Sequence, residues 1–270
     1  MTDLSLPQAP EPSLKPPSFR SARTILALML REMGSTYGSS PGGYAWAILQ
    51  PVGMLLVLSF AFALVMRAPS LGTSFILFYA TAFLPFHLYQ EIEKKIRSAL
   101  RYARSLLAYP AVTWMDAILA RLLLNLVTGI AVFCIVITGI LIFEAPQTIL
   151  TPGPVMIGVA LATLTGLGVG LLNAVLTGLF PVWSNIWSIV SRPLFLASGI
   201  FYTFSDLPQA AQAVLWWNPL IHVTGLVRSG FYPTYRPEYV SLTYGFGLAL
   251  GMIALGMIFM RSQYTDVLER

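Results

Sequence analysis

Charged side chains are scarce in this sequence. Asp, Glu, Lys and Arg make up 10% of the 270 residues, whereas 56% of the residues are hydrophobic. Because a soluble globular domain has about 25% charged residues, this composition excludes a water-soluble fold and indicates that lipid surrounds much of the chain. The net charge of +5 comes from basic residues that flank apolar runs. We therefore expect contact with anionic lipid or an acidic protein surface, and no nucleic acid.

Residue types that carry chemistry are also few. The single cysteine, Cys134, excludes a disulfide within the chain. The two histidines, His87 and His222, lack the spacing of metal ligands, so we interpret both as packing or interfacial residues and expect no metal site. The sequence G-x-x-x-x-G-K-[ST] does not occur, which excludes ATP binding by a phosphate loop of that type. The acidic residues near the span ends form no close pair in sequence; they are Asp116, Glu144, Asp206 and Glu238. We expect no catalytic residue and no cofactor bound by this chain.

Six apolar runs meet or approach the roughly 20 residues that a helix needs to cross a bilayer. The predicted spans cover residues 44–66, 71–90, 121–143, 155–180, 185–204 and 239–260. The first run is too long for the core of a signal peptide, so we expect no cleaved signal. The chain is therefore predicted to be an all-α integral membrane protein with six transmembrane helices.

Lys and Arg are distributed unevenly between the two predicted sides of the membrane. Eleven of them fall before the first span, between the second and third spans, or after the last span, and only three fall on the opposite side. Cytoplasmic segments of membrane proteins carry such an excess of basic residues. The pattern predicts a bacterial inner-membrane protein with both termini in the cytoplasm.

The residues before the first span divide into two parts. The proline-rich residues 1–17 are predicted to be a disordered cytoplasmic tail. Apolar side chains recur at helical spacing over 19–37, which predicts an amphipathic helix within residues 18–38 that lies at the membrane interface. Residues 39–270 would then form the transmembrane domain.

The segment 91–107 is predicted to be a second amphipathic helix, on the cytoplasmic side. We expect two ion pairs at favourable i,i+4 spacing, Glu91–Lys95 and Glu93–Arg97. Its two faces are an apolar stripe of Ile92, Ile96, Leu100 and Ala103 and a basic stripe of Lys94, Arg97, Arg101 and Arg104.

The connection 206–238 between the fifth and sixth spans is too apolar for a solvated loop and too rich in proline to cross the membrane. We expect two short re-entrant helices, covered by protein or by a water-filled cavity. The residues predicted to form a lid on the outer side are Trp216, Trp217, Pro219 and His222. By contrast, the connection 181–184 is short enough to make spans four and five a tight hairpin.

Small residues recur at four-residue spacing in two spans. The pairs Gly166 with Gly170, and Gly247 with Gly251, would let helix backbones approach closely in lipid. We expect both pairs to lie at helix contacts, within one subunit or across a dimer.

Two arginines lie near the cytoplasmic ends of predicted spans. Arg121 and Arg192 either extend to lipid headgroups or line a cytoplasmic entrance that receives an anionic substrate. The nearby aromatic residues also have two interpretations. They form either a belt at the membrane interface or platforms that stack on sugar rings. They include Tyr44, Trp46 and Trp187.

Four motifs follow one another along the chain after Arg20. They are R-E-x4-Y-G-x-S-x-x-G-Y-x-W-A-x-L-x-P over 31–51, P-x5-D with A-R over 110–121, S-G-I-F-Y-x4-L-P over 198–208, and W-N-P-L-x-H over 217–222 with Arg228. Taken in this order with six spans, the motifs resemble the membrane subunit of an ABC-2 type exporter, in the capsular-polysaccharide branch.

The resemblance implies a transport subunit that is not an enzyme. Two copies would pair, and two copies of a separate cytoplasmic ATPase, which binds ATP and Mg, would attach below them. The substrate would be a lipid-linked anionic polysaccharide that crosses the bacterial inner membrane, and periplasmic and outer-membrane proteins would continue the route. For the path of the substrate we expect Arg192 first and Arg121 second.

An ATPase that drives export must push on a rigid cytoplasmic element, and the helix predicted over 91–107 is the candidate. The residues expected to couple to the ATPase are Glu91, Lys94, Arg97, Arg101, Arg104 and Arg31.

Other functions stay open at this point. An ABC-2 exporter of O-antigen, teichoic acid, a drug or a lipid would share the same motifs. A secondary transporter would place ionisable residues at mid-span, and an integral-membrane enzyme would cluster polar residues at one face. Flux or turnover by the chain without an ATPase would distinguish these two classes from the exporter.

Overall fold

The computed structural model describes residues 20–37, 42–107, 112–144 and 148–269, and all regular secondary structure in them is helical. The predicted all-α class is confirmed, and the tail predicted over 1–17 lies outside the described residues. The helices are α1 Arg20–Tyr37, α2 Gly43–Ala63, α3 Phe75–Arg97, α4 Ala99–Leu107, α5 Trp114–Glu144, α6 Pro152–Leu179, α7 Trp183–Ala197, α8 Gln209–Leu215, α9 Pro219–Phe231 and α10 Leu242–Glu269.

Four of the helices in the described ranges are long and apolar enough to cross a membrane. They are Ala45–Ala63 within α2, Trp114–Glu144, Pro152–Leu179 and Leu242–Tyr264 within α10. Helix α3 is continuous, but polar residues interrupt its apolar sequence in the second half. Helix α7 has 15 residues, so it is about 22 Å long, less than the roughly 30 Å hydrocarbon core. The count of six spans therefore stays a prediction.

Helices α3 and α6 form the centre of the molecule. A Cβ atom added at Gly166 would stand 2.9 Å from the carbonyl oxygen of Tyr89, and one at Gly170 would stand 2.8 Å from Cβ of Ile96, both on α3. A Cβ at Gly168, on the opposite side of α6, would stand 3.1 Å from the carbonyl oxygen of Ala249 on α10. The glycines of α6 therefore permit close contacts with two helices of the same subunit.

The second predicted pair of small residues behaves differently. An added Cβ at Gly247 or Gly251 meets no atom within 4 Å among the described residues. Among the described residues of one chain this face of α10 makes no close helix contact, so the alternative of a contact across a dimer stays a prediction.

The boundary predicted between the second span and the cytoplasmic helix does not exist. Helix α3 continues through Pro85 and past Gln90 as far as Arg97. The break comes at Ser98, whose hydroxyl donates to the carbonyl of Lys94 at 3.0 Å. The prediction of one helix over 91–107 was therefore wrong, because the segment consists of the last two turns of α3 followed by α4.

The outer connection contains the two short helices that were predicted, α8 and α9. The fifth span was predicted to continue to residue 204, but α7 ends at Ala197 and the chain turns at Gly199, whose φ is +74°. Helix α9 is buried along most of its length. The tight hairpin between α6 and α7 and the amphipathic α1 are as predicted.

Candidate coupling surface and substrate path

Helix α1 packs against α5 through one face and exposes another. Ile25, Leu28 and Glu32 lie on the packed face at spacings of three and four residues, whereas Leu26 and Leu30 are exposed. The exposed leucines suit a helix that lies on lipid, as predicted. Glu32 was missed as a functional residue, although an acidic residue that continues an apolar stripe at helical spacing is a recognisable signal.

Arg121 of α5 joins four helices at one point. Its Nε donates to Oε2 of Glu32 on α1 at 3.1 Å, and its Nη1 donates to the carbonyl of Lys95 and to the hydroxyl of Ser98, each at 2.8 Å. The ring of Tyr102 on α4 covers the guanidinium, 4.2 Å from its centroid to Cζ. The arginine thus holds α1, the end of α3 and α4 against α5.

This arrangement differs from both predictions for Arg121. The side chain neither extends to lipid headgroups nor opens into an entrance, because the residue is 6% exposed and its Nε and Nη1 donate to Glu32, Lys95 and Ser98. Sequence could place Arg121 by depth, but the partner that buries it lies 89 residues away.

The basic stripe predicted over 94–104 divides into two parts. Lys94, Arg101 and Arg104 are exposed, and Lys94 lies 3.7 Å from Glu91. Arg97 is instead partly buried against Glu93, at 3.0 Å. The predicted apolar stripe is buried, and the ion pair Glu93–Arg97 is confirmed, while Glu91 pairs with Lys94 rather than with Lys95. Arg31 of α1 is exposed beside this surface, with Cζ 5.2 Å from the Tyr102 ring centroid.

A chain of hydrogen-bonded side chains, two of them buried, connects the end of α3 with the start of α7. Nε1 of Trp183 donates to Oδ1 of Asn173 on α6 at 2.9 Å, and Nδ2 of Asn173 donates to Oε1 of Glu93 at 2.8 Å. Burial raises the pKa of the Glu93 carboxyl, and the guanidinium of Arg97 opposes that shift. The sequence did not identify Asn173 or Trp183 as functional residues; for Asn173 the signal was an amide within an otherwise apolar run.

A pocket of about 270 Å³ lies beside these hydrogen-bonded side chains, between α2, α3 and α7. Of the residues predicted to form the substrate path or the coupling helix, Trp187 lines it together with Glu91, Lys94 and Arg97. Gln50 of α2 completes the polar wall. The pocket places an aromatic ring beside charged and amide groups, a combination that can stack on a sugar ring and bind its hydroxyls.

The remaining residues of the predicted path are spread over two helices. Arg192 is exposed on α7, and Trp46 is 63% exposed on α2. Tyr44 lies in α2, but its side chain is outside the described part of the structure. No described contact within the chain brings Arg192 to Trp46, so their joint role stays a prediction.

The residues of the predicted outer lid are close together. The ring of Trp216 stacks on Tyr244 with centroids 4.8 Å apart, and its Nε1 donates to the carbonyl of Tyr239 at 3.0 Å. Nδ1 of His222 accepts the backbone N–H of Ser241 at 3.3 Å, so Nε2 carries the hydrogen and donates to the carbonyl of Trp216 at 2.8 Å. Both ring nitrogens are therefore satisfied by backbone groups, as expected for a packing histidine. Pro219 begins α9, and Trp217 is 66% exposed.

Arg228 of α9 is buried on the same side of the molecule. It is 2% exposed and donates to the carbonyls of Tyr202 at 2.7 Å and Ile200 at 3.0 Å. Its Cζ lies 4.2 Å from the ring centroid of Phe78. Sequence analysis noted Arg228 only as part of a motif, whereas in the structure it ties the turn after α7 to α9.

The fold and these sites define an integral membrane protein with a basic surface at one end of its helices. Within the described ranges, no group of three or more His, Cys, Asp and Glu residues could hold a metal ion. The chain matches the ABC-2 type transporter family over residues 23–232, and it belongs to this family.

Three relatives of this chain are named for the transport or export of polysaccharides. It is 30% identical over 240 residues to the polysialic acid transport protein KpsM of Escherichia coli, covering 89% of this chain and 93% of the relative. It is 26% identical over 245 residues to the capsule polysaccharide export inner-membrane protein BexB of Haemophilus influenzae, covering 89% and 91%. It is also 26% identical over 246 residues to the capsule polysaccharide export inner-membrane protein CtrC of Neisseria meningitidis serogroup B, covering 87% and 90%.

Proposed function

We propose that this chain is the membrane subunit of an ATP-driven exporter that moves a lipid-linked anionic capsular polysaccharide across the bacterial inner membrane. The observation that carries the proposal is the set of contacts around Arg121, which holds α1, α3 and α4 as one unit beneath the membrane helices. The capsule-export relatives, matched along nine-tenths of their length, support the substrate class.

In this proposal the exposed residues Lys94, Arg101 and Arg104 receive a separate ATPase, which supplies ATP and Mg. Movement of α4 reaches the membrane because α4 is locked to α5 through Tyr102 and Arg121. It reaches α7 through the hydrogen-bonded side chains of Glu93, Asn173 and Trp183. Arg97 belongs to this second connection rather than to the docking surface, since it pairs with Glu93.

The substrate would enter beside α2 and α7. Trp187 offers a ring to a sugar, and Arg192 offers a charged, two-pronged donor to phosphate or carboxylate groups. Because no residue of α7 is buried within the chain, and its apolar residues Ile186, Ile189 and Leu196 are exposed, a second copy of the subunit facing α7 would enclose the path. Periplasmic and outer-membrane proteins would receive the polysaccharide.

In this proposal both termini lie in the cytoplasm, with α8 and α9 on the outer side. Cysteine labelling tests this orientation in a Cys134→Ser background. We expect Gln209→Cys to react with a membrane-impermeant thiol reagent added to the periplasmic side of the membrane, and Ser105→Cys to react only after permeabilisation. Labelling of both positions from the same side would contradict the topology.

The function itself is tested by complementation in a capsulated strain that lacks its own capsule-export membrane subunit. We expect the chain to restore capsule on the cell surface when it is expressed together with the ATPase encoded in the same genome as the chain. Restoration of O-antigen instead of capsule would place the chain in another branch of the family. Normal protein levels with the polysaccharide retained inside the cell would refute the proposed substrate.

A further inference from the structure

A groove between α2, α3 and α5 contains two pockets of contrasting chemistry. The pocket nearer the cytoplasmic end, called the polar pocket, measures about 310 Å³ and is lined by both polar and apolar side chains. Its polar side chains include Gln50, His87, Lys94, Lys95 and Asn125. The second pocket measures about 320 Å³ and is lined by apolar residues such as Val52, Leu55, Ile76, Val136 and Ile140.

The two pockets follow each other along the same helices. Ala47 lines the polar pocket and its neighbour Ile48 lines the apolar one, while Val132 and Val136 do the same one turn apart on α5. From Thr128 in the polar pocket to Gly139 in the apolar pocket α5 rises about 16 Å. This is about half of the roughly 30 Å hydrocarbon core of a bilayer, the depth of one leaflet.

The charge at the polar end favours an anion. Lys94 and Lys95 are opposed there by one carboxylate, Glu91, which lies 3.7 Å from Lys94. The polar end is continuous with the basic α4 region on the predicted cytoplasmic side. Basic pockets between membrane helices on that side are suited to anionic headgroups.

We propose that this groove binds one anionic phospholipid of the inner leaflet, with its headgroup at Lys95 and Lys94 and one acyl chain extending along α5 to Gly139. The site adjoins the pocket that contains Trp187, and Gln50, Glu91 and Lys94 line both. The proposal rests on the cytoplasmic placement of α4 and not on the identity of the exported polysaccharide.

Native mass spectrometry of the full chain, purified with phosphatidylglycerol or with phosphatidylcholine of the same acyl chains, tests the headgroup. We expect one phosphatidylglycerol per chain to be retained and phosphatidylcholine to be lost. Lys95→Gln lowers the retention of phosphatidylglycerol about fivefold, the contribution of one lysine near an anionic lipid. Arg261→Gln, an exposed arginine elsewhere on the predicted cytoplasmic side, leaves it unchanged. Equal retention of both lipids would overturn the proposal, as would displacement of the lipid by millimolar inorganic phosphate.

A second variant tests the acyl chain. An added Cβ at Gly139 meets no atom of the described residues within 4 Å, so Gly139→Leu fills the apolar pocket without a clash with them. Gly251→Leu on α10 is a matched control, since Gly251 has the same open space outside the groove. We expect only Gly139→Leu to lose the lipid, with an unchanged oligomeric state. Retention by Gly139→Leu would overturn the proposal, and so would dissociation of a dimer, because the groove would then belong to a contact between copies.

Discussion

Glu32 and Arg121 form a buried ion pair, with 3.1 Å between Oε2 and Nε and exposed side-chain fractions of 4% and 7%. The two residues lie 89 positions apart and come from the interface helix α1 and the membrane helix α5. Since both charges are removed from solvent, each depends on the other. The pair therefore fixes α1 to the membrane helices, at the place where α3 and α4 also meet α5.

The first prediction is that removing either partner of this ion pair destabilises the protein. Glu32→Ala and Arg121→Ala should each lower the free energy of unfolding by about 3–5 kcal/mol, because a buried charge is left without its partner. The double variant should lose less free energy of unfolding than the two single variants lose when their losses are added. Thermal unfolding of the purified protein in detergent measures both effects.

Arg192→Ala is the control for these three variants. Because Arg192 is exposed, the substitution should change the free energy of unfolding by less than about 0.5 kcal/mol. Single variants as stable as the original chain would show that the ion pair does not hold α1 in place.

The second prediction separates two arginines that sequence analysis assigned to one surface. Arg101→Glu should weaken association with the ATPase about fivefold or more, because an exposed contact of about 1 kcal/mol becomes repulsive, and should leave the amount of folded subunit unchanged. Arg97→Glu should also lower the amount of folded subunit, because it would bring a second carboxylate to buried Glu93. Co-purification of the ATPase, normalised to folded subunit, measures both.

Arg261→Glu is the control, an exposed arginine near the end of α10. Equal co-purification of the ATPase by Arg101→Glu and the original chain would remove Arg101 from the docking surface. Equal amounts of folded protein for the two arginine variants would contradict the distinction between them.

The third prediction concerns the contact between α6 and α3. Gly170→Leu should destabilise the subunit by about 1–3 kcal/mol or prevent folding, because its Cβ would stand 2.8 Å from Cβ of Ile96 and 3.1 Å from the carbonyl of Glu93. Gly247→Leu is the matched control, since no atom in the described part of the chain lies within 4 Å of its added Cβ. Fluorescence-detected size exclusion after membrane extraction compares the folded fractions. A folded fraction for Gly170→Leu equal to that of Gly247→Leu would contradict the contact.

Helix contacts that depend on local periodicity could be predicted from the sequence. The stripe of Ile92, Ile96 and Leu100 is buried because apolar residues at helical spacing face the core, and the outer connection forms two short helices because its prolines interrupt an apolar segment. Spacing also identified Gly166 and Gly170, although it could not show which helix they touch.

The partners of polar side chains could not be predicted in this way. Arg121 meets Glu32 and Asn173 meets Glu93 only because the tertiary fold brings residues 80 to 89 positions apart together. The break at Ser98 has the same origin, since Arg121 from α5 donates to the Lys95 carbonyl and to the Ser98 hydroxyl. Burial of a charge is set by the neighbouring helices, and a single sequence records only its depth.

The fourth prediction concerns substrate entry. Arg192→Ala should reduce capsule export about tenfold at normal protein level, the effect expected from losing a hydrogen bond to a charged group. Arg192→Lys should restore export only in part, because lysine lacks the planar fork that binds phosphate or carboxylate with two donors. The rate at which polysaccharide appears on the cell surface is the measurement. Export at the original rate by Arg192→Ala would show that the arginine only contacts lipid headgroups.

The central claim is that ATP hydrolysis in a separate subunit drives this chain to move a lipid-linked polysaccharide. Proteoliposomes that contain the chain, its ATPase and the polysaccharide test it most directly, by the fraction of polysaccharide that becomes inaccessible to an added depolymerase. The account predicts that this fraction rises with ATP and Mg only when both proteins are present, and stays at background with a hydrolysis-deficient ATPase. Protection of the polysaccharide by the chain alone, or with the inactive ATPase, would contradict it.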